Sequence, residues 1–150
     1  MLLLLPTAAP PSFGVVYTTV DHLGENYSAT IGPIRECHNE APPCTFASVD
    51  GEVHKPLDKR GRRPVRLKNG TIAWFETHRC GANCAGSATL VFARGSALYT
   101  VAVKAGTLPI TLQIANGLRP GEVAPEIWTR NRGPLSGTLR FMLLERGSLG

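Results

Sequence analysis

Short β-rich runs, broken at close intervals by glycine, constrain this chain more than any other feature. The clearest case is Asn69-Gly70, which separates the run 64–68 from the run 71–77, TIAWFET. Asn-Gly tolerates the positive φ of a type I′ turn, so the pair predicts a hairpin. A second hairpin is expected from 89–93 and 98–104 around Arg94-Gly95-Ser96, with Tyr99, Val101 and Val103 on one face. A third joins 13–20, FGVVYTTV, to 27–34 across the polar stretch 21–25. Residues 45–49 read as a short strand stopped by Asp50-Gly51. In 71–77, Ile72 and Trp74 alternate with Ala73 and Phe75, so both faces are apolar and a strand covered on both sides is expected.

Helical spacing enters once. Leu108, Ile110, Leu112, Ile114, Ala115 and Leu118 mix alternating and helical periods. Pro109 suits a first turn and Gly117 a stop, which predicts one helix near 108–118. The expected fold class is therefore α+β: an antiparallel sheet of hairpins with one short covering helix and a loose C-terminal tail. The 16 Gly and 12 Pro among 150 residues speak against a helical bundle. The domain is expected over 13–118. Residues 1–12 read as an N-terminal extension or truncated leader, with 2–5 alternatively a short strand. Residues 119–150 read as a poorly structured extension in which 138–145 is the one segment expected to be ordered, and Arg119-Pro120-Gly121 is a breaker. No run of 18 apolar residues is present, so no membrane-spanning helix is expected.

Charge is uneven. Lys55, Lys59, Arg60, Arg62, Arg63, Arg66 and Lys68 face only Asp58 between them, a segment net of +6 in a chain of net +5. The rest is close to neutral. This run is the candidate anion-binding loop, for nucleic acid, lipid headgroups or another anionic polymer. The competing reading is a solvated connection. No aromatic residue interrupts 53–72, so stacking platforms look absent from it. On the anion-binding reading, changing Arg60, Arg62 and Arg63 to Ser should lower retention on heparin.

Four cysteines fall in two close couples. Cys37 and Cys44 enclose six residues, and Cys80 and Cys84 enclose three. Two local disulfides would imply an oxidising compartment and contribute about 2 to 2.5 kcal/mol each. A small four-thiolate zinc site, with His38 or His78, is the alternative; its usual C-x2-C knuckles are missing. Four cysteines allow three pairings, so connectivity stays open.

The usual catalytic signatures, G-x-S-x-G, the P-loop, G-x-G-x-x-G and H-E-x-x-H, are not in the sequence. His22, His38, His54 and His78 each stand alone in polar surroundings and read as exposed loop residues. Nothing in their spacing brings Asp50 and Glu76 together. Asn26-Tyr27-Ser28 and Asn69-Gly70-Thr71 match the glycosylation sequon, for which chance is the default reading. Trp74 reads as core and Trp128 as an exposed contact candidate. No cofactor is expected.

Several phrases carry a resemblance. They are Tyr27-Ser28 in a strand leading to Cys37 and then Cys44; Val65-x-Leu67-x-Asn69-Gly70 and the aromatic strand ending at Phe75; and Cys80-Gly81-Ala82-Asn83-Cys84. Leu90, Tyr99-Thr100-Val101, Lys104-Ala105-Gly106 and Ala115-Asn116 follow. Together these resemble a small cysteine-bearing domain of uncharacterised exported bacterial proteins, over about 13–118. The closing hairpin and helix are similar to the end of a broader group of extracytoplasmic domains, found in anti-sigma-factor-like and lipoprotein contexts. The resemblance implies export to the periplasm or beyond, a β-rich fold and no assigned activity. The expectation is an exported, non-enzymatic binding or interaction module of unknown partner. The alternatives are anion binding through 55–68 and zinc binding through the cysteines.

Overall fold

The strands follow from β-branched alternation and the turns from glycine, and they assemble in an eight-stranded sheet and a two-stranded ribbon. The computed structural model of the protein describes residues 2–7, 16–33, 45–77, 86–121 and 138–141. In chain order its strands are β1 (Leu4–Pro6), β2 (Tyr17–Leu23), β3 (Asn26–Gly32), β4 (Ala47–Val53), β5 (Arg63–Arg66), β6 (Ile72–Glu76), β7 (Ser87–Arg94) and β8 (Ala97–Lys104). The helix α1 (Leu108–Asn116) follows, then β9 (Leu118–Pro120) and β10 (Thr138–Phe141). The main sheet has the order β10-β2-β3-β4-β8-β7-β6-β5, and every pairing in it is antiparallel. The described residues are thus mostly antiparallel β with a single short helix, the coarse form of the expected class.

The registers put one set of side chains in phase across the sheet. Val20, Ala29, Val49, Val101, Leu90 and Phe75 form one such row, and Tyr27, Gly51, Tyr99 and Phe92 the next. All of these except Gly51 belong to the hydrophobic core, each at 4% exposure or less. This inner face is covered by α1, which packs on β7 and β8, and by the small β1-β9 ribbon. On α1 the buried positions are Thr111, Ile114 and Ala115, with Leu118 buried just beyond, an i, i+3, i+4, i+7 stripe. The Thr111 hydroxyl bonds the Thr107 carbonyl at 2.8 Å, which satisfies it inside the core.

Two tyrosines from the sheet hold β1. The Tyr27 hydroxyl donates to the Leu4 carbonyl at 2.9 Å and accepts the Leu4 amide at 3.0 Å. The Tyr99 hydroxyl donates to the Leu2 carbonyl at 2.6 Å. Leu4 and Leu5 are buried at 1% and 9%. Burial pushes the Tyr27 hydroxyl well above its ordinary pKa, and the Leu4 backbone bond offsets only part of that. At the far end of β1, Thr7 bonds the Gly117 carbonyl through its amide (3.3 Å) and its hydroxyl (2.5 Å).

Several expectations need correcting. Asp50-Gly51 does not stop β4; the strand runs through to Val53. Gly51 is there because Tyr27 lies on it: a Cβ would sit 2.2 Å from the ring. The stretch 21–25 is strand to Leu23, and only Gly24-Glu25 turn. His22 is accordingly half-buried on β2 rather than an exposed loop residue, whereas His54 is exposed at φ 59°. The Asn69-Gly70 hairpin exists, but not as type I′. Asn69 keeps an ordinary φ, Gly70 takes φ 88°, and Gly70 N–H reaches the Leu67 carbonyl at 2.9 Å. This is a type I turn closed by a left-handed glycine, the three-residue hairpin geometry. The strand β6 is fully covered on its inner side and only partly on its outer one: Ala73 and Phe75 are buried, Trp74 is half-buried, and Ile72 is 43% exposed.

The helix ends at Asn116, before Leu118, and Gly117 stops it in a right-handed conformation at φ −86°. Arg119 and Pro120, expected to belong to a breaker, instead form β9 with Leu118 against β1. Residues 2–5 enter a strand, as one of their three readings had it. Of the C-terminal stretch, 138–141 pairs with β2, within the segment expected to be ordered.

Candidate anion-binding surface

The basic segment is not a free loop. β4 and β5 run in the same direction, so the connection 54–62 must cross from one end of the sheet to the other. Its contacts place it on the outer face. His54 N–H meets the Ser96 carbonyl at the β7-β8 turn (3.4 Å), Lys59 lies 4.7 Å from the Trp74 ring centre, and Arg62 pairs with Glu76 at 3.3 Å. Trp74 and Glu76 are both outer-face residues of β6. Val91 and Leu98, also on that face, are 2% and 4% exposed.

The chain then turns into β5, the sheet's edge strand. Its residues are Arg63-Pro64-Val65-Arg66. The ladder alternates from the Leu67 N–H to Thr71 carbonyl bond (2.9 Å), so 65 and 63 bond to β6 while 64 and 66 face the open edge. Pro64 therefore removes an outward donor without costing a ladder bond, and Arg66 adds charge there. Both features discourage pairing with another strand. At the hairpin tip, the Lys68 amide donates to Asn116 Oδ1 at 2.8 Å and ties the turn to the end of α1.

Side-chain pairing sorts the seven cations. Lys55 bonds Glu52 at 2.5 Å. Arg60 makes a forked bond to Asp58, with Nη2 at 2.9 Å and Nε at 3.0 Å. This partner, together with the Arg60 amide, holds the Asp58 carboxyl down at about 2. Arg62 is committed to Glu76 and to the Asp58 carbonyl at 3.1 Å. Lys59, Arg63, Arg66 and Lys68 have no carboxylate within ion-pair distance among the described residues. Arg63 lies on the inner-face side with its guanidinium 5.4 Å from the Phe75 ring centre. Lys59 and Arg66 flank Trp74 and Ile72 on the outer side.

The structure thus lays the connection 54–62 on the outer face and carries the run on around the β5 edge, with Arg63 on the inner-face side, and leaves four of its seven cations without an internal ion pair among the described residues. It also adds Trp74, which the sequence reading set apart as core. The signal was present: a hairpin about Asn69-Gly70 pairs Trp74 with Pro64 and so returns an aromatic ring to the basic run.

Elsewhere, Asp50 and Glu76 sit on β4 and β6, with β8 and β7 between them, and do not form a pair. An open outer-face hollow of about 360 Å³ is lined by Asn26, Ser28, Asp50, Glu52, Lys55 and Thr100, among others. The Asn26 side chain accepts the Val53 amide at 2.9 Å, and Asn69 is exposed with its Oδ1 on the Thr71 amide at 3.0 Å. No group of three metal-binding side chains occurs among the described residues. Cys37, Cys44, Cys80, Cys84, His38, His78 and Trp128 lie outside the described residues. The connections bearing the cysteine couples leave the sheet at the same end, after β3 and after β6. No helix among the described residues is long and apolar enough to cross a membrane. No protein-family model matches the chain, and neither does any curated protein or solved structure.

Proposed function

We propose that this protein is a non-enzymatic binding module that takes an anionic polymer on the β5-β6 hairpin and the connection leading into it. The observation that carries this reading is the set Lys59, Arg63, Arg66 and Lys68. Internal ion pairs absorb the other three cations of the segment, whereas these four are left for an external anion. Cations on a rigid hairpin, tied down at Lys68 and Arg62, bind without a large ordering cost.

The test separates the two groups of cations. Changing Lys59, Arg63, Arg66 and Lys68 to Ser together should bring the protein off heparin at much lower salt. The triple change of Lys55, Arg60 and Arg62 removes nearly as much charge, but it also releases Glu52, Asp58 and Glu76. If the two variants elute alike, net charge alone governs retention and the proposed surface is wrong.

We further place the protein outside the reducing cytosol, with its cysteines in two disulfides. The even cysteine count and the close couples support this. Intact mass of unreduced protein should fall four hydrogens short of the reduced mass. Free thiols or retained zinc would overturn it. Because the two connections share one end of the sheet, peptide mapping is needed to distinguish local bonds from bonds between connections.

A further inference from the structure

We infer that the anionic polymer is a single-stranded nucleic acid, and that Trp74 is the platform on which one of its bases stacks. This inference rests on the proposed function above and names its ligand.

The argument starts from what the patch contains besides charge. A sulfated polysaccharide or a bare phosphate surface needs only cations. Here Trp74 is half-buried and Ile72 is 43% exposed, side by side on the outer face of β6, with Lys59 and Arg66 around them. An apolar centre with a cationic rim fits a ligand that carries apolar faces between its negative charges. Unpaired bases on a phosphodiester backbone are such a ligand. A duplex hides its base faces and offers this ring nothing to stack on.

The position of the ring favours stacking over membrane insertion. Trp74 is the third residue of β6, opposite Pro64, and not at the hairpin tip. The tip itself is Lys68-Asn69-Gly70, and the nearby Leu67 is 4% exposed and turned into the core. A membrane would meet a polar tip and a recessed ring. A flexible single strand reaches a recessed ring easily. Lys59 now occupies the ring at 4.7 Å through a cation–π contact. Its side chain is exposed and unbranched, so the ammonium has room to move to a phosphate while a base takes its place. Such a contact at an exposed site is weak, and exchanging it for a stacked base and an ion pair is downhill.

Tryptophan fluorescence reads this directly, because the chain has two tryptophans. In a Trp128→Phe background, Trp74 is the sole reporter. Titration with a twelve-residue oligothymidylate at low salt should quench its emission to saturation. The slope of log affinity against log salt should be about −3, as four phosphate contacts on a single strand require. Trp74→Leu should weaken oligothymidylate binding by at least about fivefold, followed by anisotropy of a labelled strand.

The failures are distinguishable. Saturable binding with no quench, or equal affinity in Trp74→Leu, removes the stacking inference while leaving the anion-binding surface intact. A blue shift on vesicles of mixed phosphatidylcholine and phosphatidylserine, with none of the quench on oligothymidylate, assigns the patch to membranes instead. Absence of binding to both oligothymidylate and heparin removes this inference and the function it rests on. The quench needs no change at Trp74, so misfolding of the leucine variant does not shield the inference.

Discussion

The two long halves of the sheet treat polar groups in opposite ways. In the half built from β2, β3 and β4, the inner face closes over itself. Tyr27 lies on Gly51, its hydroxyl takes both backbone groups of Leu4, and Leu4 and Leu5 complete the core. In the half ending at β5 and β6, with the connection leading into it, two cations, Arg60 and Arg62, are paired and four are not. In the first region the Tyr27 hydroxyl is satisfied within the molecule. The unpaired cations in the second are in excess of what folding requires. Residues kept in excess of structural need are the ones to examine for a partner, since a solvated lysine contributes little to stability.

The sharpest way to break this contrast is Gly51→Ala. The added methyl would meet Tyr27 Cε1 at 2.2 Å and Cδ1 at 2.8 Å. The ring is 2% exposed and pinned at its hydroxyl, so it has nowhere to go. Destabilisation of about 3 kcal/mol or more is expected, at the upper end for overpacking. Chemical denaturation would measure it. A loss below about 1 kcal/mol would mean that the tyrosine is loosely held and the latch is not rigid.

A smaller effect is expected from Tyr27→Phe. It keeps the ring over Gly51 but strips the Leu4 amide and carbonyl of their common partner. One or two buried backbone groups left unpaired cost about 2 to 3 kcal/mol in all. The same residue sets an alkaline limit. Its folded pKa is raised above the unfolded value by burial. The folded state therefore holds the proton more tightly, and stability is complete below about pH 10. As pH rises past that point the stability contributed by the neutral hydroxyl is progressively lost. Tyr27→Phe should flatten this alkaline fall. The removal of Lys59, Arg63, Arg66 and Lys68 should change stability by less than about 0.5 kcal/mol, as exposed charges do. That inequality is the comparison in measurable form.

Legibility in the sequence follows the same division. The hairpin of β7 and β8 was readable because its apolar residues alternate without interruption and Gly95 marks the turn. Its inner row, Tyr99, Val101 and Val103, is buried as that alternation requires. Asp50-Gly51 misled because a local rule treats the pair as a turn, while its real constraint is a ring arriving from β3, 24 positions earlier in the chain. β9 was unreadable for the same kind of reason. Arg119 and Pro120 have no strand propensity to speak of, and they are extended because β1, more than a hundred residues away, pairs with them. The basic run was plain in composition. Its division into paired and unpaired cations was not, since Glu76 reaches Arg62 only after the chain has doubled back through the hairpin.

The finest test of that division concerns Asp58 and Arg60, where a single proton reports whether a cation is spent. The Arg60 guanidinium and amide both bond the Asp58 carboxylate, which lowers its pKa to about 2 against an ordinary value of about 3.9. A lowered folded pKa means that the pairing is complete above about pH 4 and is lost as pH falls through about 2. Both groups are exposed, so the effect on overall stability is small, and the carboxyl itself must be watched. The Asp58 side-chain carbon should titrate with a midpoint near 2, and in Arg60→Ser the midpoint should return toward 3.9. A midpoint near 3.9 in the unaltered protein would mean that Arg60 is not held. Arg60 would then belong with Lys59, Arg63, Arg66 and Lys68, and the salt dependence of polyanion binding should steepen by close to one further contact.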